Sequence, residues 1–192
     1  EVMNFALIQL GTGIGAGLFI DGQLVRGSRG AAGEVSFLPL FGNPEDPWAI
    51  ENGLAESVVG TKGILKRYKE LVGAETDLTV KEIFTLAIKG DVIANQVVEE
   101  IGKHLGYIAV SLKAIADPEI IVLGGGIGSN EILLPIVKKW ANKLVPFEID
   151  IRITNLDAKA GVVGAAAYAA EKIRTRMMVE TTERKINEQV SN

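Results

Sequence analysis

Two glycine-rich segments are the residues best suited to chemistry. The first, Gly11-Thr12-Gly13-Ile14-Gly15-Ala16-Gly17, lies between two strand-like runs. A bend of this kind lets backbone N–H groups approach phosphate oxygens with no Cβ in the way. The second, Gly124-Gly125-Gly126-Ile127-Gly128, falls between a strand and a helix. Its amides and the helix N-terminus can receive an anion, or let a flat ring lie on the backbone. Between them stands a Gly-Glu corner, Ala31-Ala32-Gly33-Glu34. An ionised carboxylate there accepts hydrogen bonds from hydroxyls. The set suggests a nucleotide on one side and a small polyol on the other. Two common phosphate motifs are excluded. A dinucleotide fingerprint needs a helix directly after the glycines, and residues 16–20 read as a strand. A Walker loop needs Lys-Ser or Lys-Thr at its end, and neither is present. An unliganded tight turn explains the first segment equally well, and a sharp strand-to-helix crossover explains the second.

These segments need elements to hold them. Residues 5–10 read as a buried strand and 16–20 as its partner. Asp21-Gly22 is a strong hairpin signal, because both central positions of a type I′ turn need positive φ. Residues 23–26 return as a third strand. Residues 27–50 lack helical period and read as a long irregular excursion. A helical pattern follows from 51 to 71. Thr79-Val80-Lys81-Glu82 is a capping box that starts a helix running to about residue 89. Gly90-Asp91 opens a long helix to about residue 116. Val97, Ile101, Leu105, Ile108, Leu112 and Ile115 are spaced to form one continuous apolar face. Asp117-Pro118 ends it, a strand covers 119–123, and a helix covers about 130–143. Residues 149–153 alternate as a strand, and 160–173 form an alanine-rich helix with Gly161 and Gly164 suited to close packing. Residues 175–192 read as a polar tail, frayed or disordered. The order implies an α/β fold with a mixed sheet of about five strands packed by helices.

The chain has 192 residues, 47% hydrophobic and 23% charged, which suits one globular domain. A net charge of −4 gives no footprint for nucleic acid. With no cysteine there is no disulfide framework and no thiolate metal site, which fits a reducing compartment. No apolar run has the length of a bilayer span, and residues 1–4 lack a basic n-region. Because the first residue is not methionine, a preceding segment is expected.

Other residues read more plainly. His104 is the sole histidine and reads as an exposed or capped helix residue. Trp48 and Trp140 read as packing anchors, with Trp48 a candidate to stack on a sugar ring. Lys62, Lys66, Arg67 and Lys69 read as a solvated basic face.

Taken together, the motifs resemble the ATP-binding lobe of the sugar kinase, actin and heat-shock ATPase superfold, which is ribonuclease H-like. Within it they resemble the ROK family, named for repressors, open reading frames and kinases. Residues 10–17 with Asp21-Gly22 look like that family's phosphate hairpin. Arg26-Gly27 with Ala31-Ala32-Gly33-Glu34 looks like its sugar-side loop. Residues 117–126 look like its adenosine-side strand and turn, and Gly161-Val162-Val163-Gly164-Ala165-Ala166 like its last helix. The resemblance implies a lobe over residues 1–174 and a tail over 175–192. It implies phosphate or nucleotide contacts from Gly11, Thr12, Gly13, Gly124, Gly125 and Gly126, and sugar contacts from Glu34.

The departures matter as much. Phe37 stands where the family has a histidine that binds sugar and helps hold zinc. Residues 41–48, Phe-Gly-Asn-Pro-Glu-Asp-Pro-Trp, replace its zinc-binding cysteine cluster, so no zinc is expected. Val59-Gly60 matches the family's Ser-Gly pair, which puts Ala55 at a sugar-binding glutamate, with Glu51 or Glu56 as substitutes if the loop is shifted. The family's catalytic aspartate lies ahead of the phosphate hairpin, so no catalytic residue is expected within this chain. The resemblance therefore implies the effector-binding region of a ROK transcriptional regulator. It would be cytoplasmic, bind a sugar or sugar phosphate, need no cofactor, contact DNA only through a preceding helix-turn-helix, avoid membranes and form a homodimer. The alternative is a glucokinase-like ROK sugar kinase using ATP and magnesium on a hexose or N-acetylhexosamine.

Overall fold

A computed structural model describes residues 2–156 and 160–190. They divide into two units, residues 1–157 and residues 158–192. The first unit is built on a five-stranded sheet in the order β3-β2-β1-β4-β5. β1 (Phe5–Leu10) pairs antiparallel with β2 (Ile14–Ile20), which pairs antiparallel with β3 (Gln23–Leu24). On its other side β1 runs parallel to β4 (Ile120–Gly124), and β4 parallel to β5 (Ile151–Ile153). This mixed sheet is the one expected.

Local chemistry explains the turns. Asp21 and Gly22 both take positive φ, 52° and 72°, as a type I′ turn requires. The Asn4 side chain accepts a hydrogen bond from the Asp21 N–H at 2.9 Å and steadies the turn. β3 ends at Leu24 rather than Arg26. β2 starts two residues earlier than the pattern suggests, because Ile14 and Gly15 pair with Leu10 and Gln9.

The excursion after β3 is more ordered than its composition implies. It holds a 3₁₀ turn at Val35–Phe37 and the start of helix α1 (Pro47–Asn52), whose N-terminus is capped by the Asp46 carboxylate. α2 (Glu56–Val59) and α3 (Thr61–Val72) follow. α4 (Val80–Ile88) begins with the expected reciprocal box: Thr79 Oγ1 accepts from the Glu82 N–H, and Glu82 Oε2 accepts from the Thr79 N–H at 2.8 Å. α5 (Val92–Ala116) is capped by Asp91 and stopped by Asp117 in the left-handed conformation. α6 (Gly125–Gly128) is a single turn and α7 (Leu133–Leu144) a longer helix.

The core lies between one face of the sheet and the helices. Ala6, Ile8, Leu10, Ile121, Leu123 and Ile151 form one cluster with Val97, Ile101, Leu105, Ile108 and Leu112 of α5 and Val137 of α7. Each fully buried Leu or Ile contributes roughly 1.5–3 kcal/mol. Ile115 does not join them; it is 76% exposed near the end of α5. The opposite sheet face carries Phe5, Leu7 and Val122, all half-buried, with the Phe5 and Phe19 rings stacked at 4.4 Å. The second unit is one helix, α8 (Ala160–Val190), which runs through both the alanine-rich segment and most of the polar stretch beyond it.

Candidate functional site

Topology brings the two glycine segments together. β1 and β4 are parallel neighbours, so the turns that follow them leave the same edge of the sheet, where ligands bind in open α/β sheets. The contact is close. A Cβ on Gly11 would stand 4.0 Å from the Gly126 nitrogen, and one on Gly125, at φ +85°, would run into the Leu10 carbonyl oxygen. Glycine is required at 125 both for its backbone conformation and for its neighbour.

Hydrogen bonding decides which amides can serve a ligand. Gly11 N–H donates to the Gly13 carbonyl at 2.9 Å. Ile14 N–H donates to Glu56 Oε2 at 3.1 Å, and Ala16 N–H donates to the Gly33 carbonyl at 2.8 Å. The N–H groups of Thr12 and Gly13 donate to no group among the described residues. Those of Gly125, Gly126 and Ile127 open the turn of α6 and are in the same state. The N–H groups left without an internal partner are thus fewer than residues 11–17 suggest: two on the hairpin and three on the adjacent turn of α6.

The hairpin is braced from behind by α2 and α3. Besides the Glu56 carboxylate on Ile14, Thr61 N–H donates to the Thr12 carbonyl at 3.0 Å and Thr61 Oγ1 donates to the Gly11 carbonyl at 3.2 Å. The sequence offered no sign of Thr61, because its partners lie 50 residues away in the chain. Ala55 is wholly buried and carries no polar group, whereas Glu56 reaches the hairpin. Of the two proposed substitutes, the fold brings Glu56 to the hairpin. Glu51 is exposed on α1.

The Gly-Glu corner docks on the outer edge of β2. Gly33, at φ +88°, lies so near the Ala16 carbonyl that a Cβ there would collide with it. Its carbonyl also receives the Val35 N–H at 2.7 Å. This seats the buried Ser36, whose carbonyl accepts from the Ala55 N–H at 2.9 Å. Glu34 is left exposed beside the hairpin, and Phe37 is 53% exposed at the end of the 3₁₀ turn.

Zinc, implied by the family pattern, does not fit these residues. The loop has no thiol, and no three His, Cys, Asp or Glu side chains gather among the described residues. Residues 41–48 are shaped by other means. Asn43 Oδ1 accepts from the Glu45 N–H and Asp46 Oδ1 from the Trp48 N–H, both at 3.0 Å. The Phe41 ring packs on His104, with centroids 4.1 Å apart.

That contact corrects the reading of His104 as exposed or capped. Its ring is largely covered, and its Nδ1 is buried with no hydrogen-bond partner among the described residues. Burial, helped by the Lys103 charge, pushes its pKa down to about 4, so the imidazole is neutral at pH 7. The basic face is also more than a solvated stripe. Arg67 grips Glu100 across the helices with two bonds, Nε to Oε2 at 2.7 Å and Nη2 to Oε1 at 2.8 Å. This contact holds the Glu100 carboxyl below its ordinary range. Lys69 pairs with Glu75 at 2.5 Å, and Lys62 sits 4.8 Å from the Trp48 ring centroid. Trp140 donates its indole N–H to Glu99 at 2.8 Å.

The sheet order and the paired glycine turns define an actin-like ATPase lobe of the sugar-kinase type. Comparison makes the assignment narrower: the ROK family profile matches residues 1–172, and the chain belongs to the ROK family. It is 30% identical over 179 residues to a glucokinase of Halalkalibacterium halodurans, covering 84% of this chain and 54% of that one. The ROK hexokinase of Thermus thermophilus superposes with a TM-score of 0.80 at 25% identity, covering 91% of this chain and 59% of the hexokinase. A ROK transcriptional regulator, a homologue of the Escherichia coli MLC protein, shares the fold with a TM-score of 0.69 at 23% identity, over 79% of this chain and 42% of the regulator. The chain spans a little over half the length of the curated relatives it matches. No helix among the described residues is long and apolar enough to cross a membrane.

Proposed function

We propose that this chain is the effector-binding region of a ROK transcriptional regulator, taking a sugar or sugar phosphate between the Gly-Glu corner and the glycine crevice. The observation that carries this reading is the loop from Glu34 to Trp48. Its side chains are not those of a sugar-clamping, zinc-supported site, yet it is held in place by an Asx turn, a helix cap and a ring contact. A regulator needs the ligand to favour one arrangement of the protein over another; it does not need a base or a bound triphosphate. Glu34 and Glu56 offer acceptors to hydroxyls, and the amides of residues 12, 13 and 125–127 offer donors to a phosphate. Phe37 offers a half-exposed ring for a sugar face. DNA contact falls to a helix-turn-helix outside this chain, in a cytoplasmic homodimer.

The kinase reading has its own support. Both glycine turns leave main-chain N–H groups without internal partners, and the glucokinase relative is a kinase by name. In that case the two sets of free amides would hold the phosphates of ATP with magnesium. Sugar binding with no sugar-dependent ADP release by the full-length protein supports the regulator. A gel-shift titration in which residues 1–192 alone grip an operator tightly contradicts it.

A further inference from the structure

A cavity of about 570 Å³ opens on the far side of α2 and α3 from the glycine crevice. It lies between the 41–48 loop, α3 and α5; Trp48, the sequence's candidate for stacking on a sugar ring, lines it, and none of Gly11, Thr12, Gly13, Glu34, Glu56 or Gly124 to Gly126 does. α2 and α3 form the shared wall. Glu56 and Thr61 face the hairpin, while Ser57, Val58, Lys62 and Lys66 line the cavity. Its volume falls within the usual range for small-molecule sites.

The charges lining it are unevenly committed. Glu100 and Glu70 are taken up by Arg67, and the Asp46 carboxylate caps α1. Lys62 and Lys66, one helical turn apart, form no ion pair among the described residues. Lys62 is instead poised 4.8 Å from the Trp48 ring centroid. The neutral His104 adds a polar edge without charge. Four cations, Lys62, Lys66, Arg67 and Lys103, line the cavity with three carboxylates, Asp46, Glu70 and Glu100, which leaves one surplus positive charge beside an aromatic ring and the apolar Val58 and Ile101.

We propose that this cavity binds a small organic phosphate, with Lys62 and Lys66 meeting the phosphate and Trp48, Val58 and Ile101 receiving its organic body. Two ammonium groups, each with three donors, match the three terminal oxygens of a phosphate better than the two of a carboxylate. The site is independent of the regulator reading and would serve equally in a kinase.

Calorimetric titration of the 192-residue chain tests it, with glucose 6-phosphate, inorganic phosphate, glucose and citrate as probes. Tryptophan emission in a W140F background reports on Trp48. Glucose 6-phosphate is expected to bind saturably and change Trp48 emission, with glucose silent and inorganic phosphate and citrate weaker by about tenfold. The K62M/K66M variant should lose about tenfold or more in affinity, as removal of charge-assisted contacts implies. Both lysines are exposed, and K66E alone repeats the test should the double variant fold poorly. The proposal is overturned if glucose 6-phosphate gives no saturable signal. It is equally overturned if the Trp48 response to glucose 6-phosphate survives the lysine changes, which would place the responding ligand elsewhere, or if inorganic phosphate or citrate binds as tightly.

Discussion

The glycine crevice and the cavity behind it lie on opposite sides of α2 and α3, and they are made of different material. The crevice presents main-chain donors, fixed by the paths of β1, β2 and β4. The cavity presents side chains: two uncommitted lysines, a tryptophan and a neutral imidazole. A main-chain site persists as long as the fold does, whereas a side-chain site is rewritten one residue at a time. That difference fits the proposed reading: the two glycine turns keep main-chain donors free, while Phe37 and residues 41–48 carry neither histidine nor cysteine.

Substitutions can break this contrast. The largest effect is expected at Gly125. Alanine there must take φ +85° and meet the Leu10 carbonyl, so G125A should lower stability by about 3 kcal/mol or more in urea unfolding. Gly126 has open space around its Cβ position, and G126A should change stability by no more than about 0.5 kcal/mol. Equal effects would mean the crevice is not shaped by backbone contact.

Next comes the cavity's imidazole. The His104 pKa is lowered on folding, so the unfolded chain takes up the proton first and stability falls as pH drops from about 6.5 towards 4. Between pH 7.5 and 5 the loss should be about 2 kcal/mol, and H104Q should remove that slope. An unchanged pH profile in H104Q would place the proton uptake elsewhere.

Smaller effects should follow at the shared wall. E56A strips the Ile14 N–H of its acceptor and should cost about 1–2 kcal/mol, while E56Q, which keeps an acceptor oxygen, should cost much less. R67A should cost about 1 kcal/mol, because the Arg67–Glu100 pair is partly exposed and screened, and the loss should shrink in high salt.

Much of the frame was legible in the sequence because its signals are local. Asp21-Gly22 needs only its own backbone to make the turn, Thr79 and Glu82 cap one another within a single turn, and the α5 face repeats with the helix. Ile115 shows where periodicity stops informing: the spacing continues into the last turn of α5, where the side chain is exposed. The hidden parts depend on distant partners. Glu56 could not be preferred over Glu51 until α2 was seen against Ile14. His104 reads as a surface residue until Phe41 is laid on it. Lys62, Lys66 and Arg67 look alike in sequence, and only the position of Glu100 on α5 separates the paired residue from the two uncommitted ones.

In the proposed regulator, the main-chain donors of the glycine turns persist without catalysis. Coupled measurement of ADP release by the full-length protein tests this most directly, with ATP, magnesium and glucose, mannose, xylose or N-acetylglucosamine. The account predicts no release above the sugar-free background with any of the four. Saturable, sugar-dependent release with any one of them would contradict it.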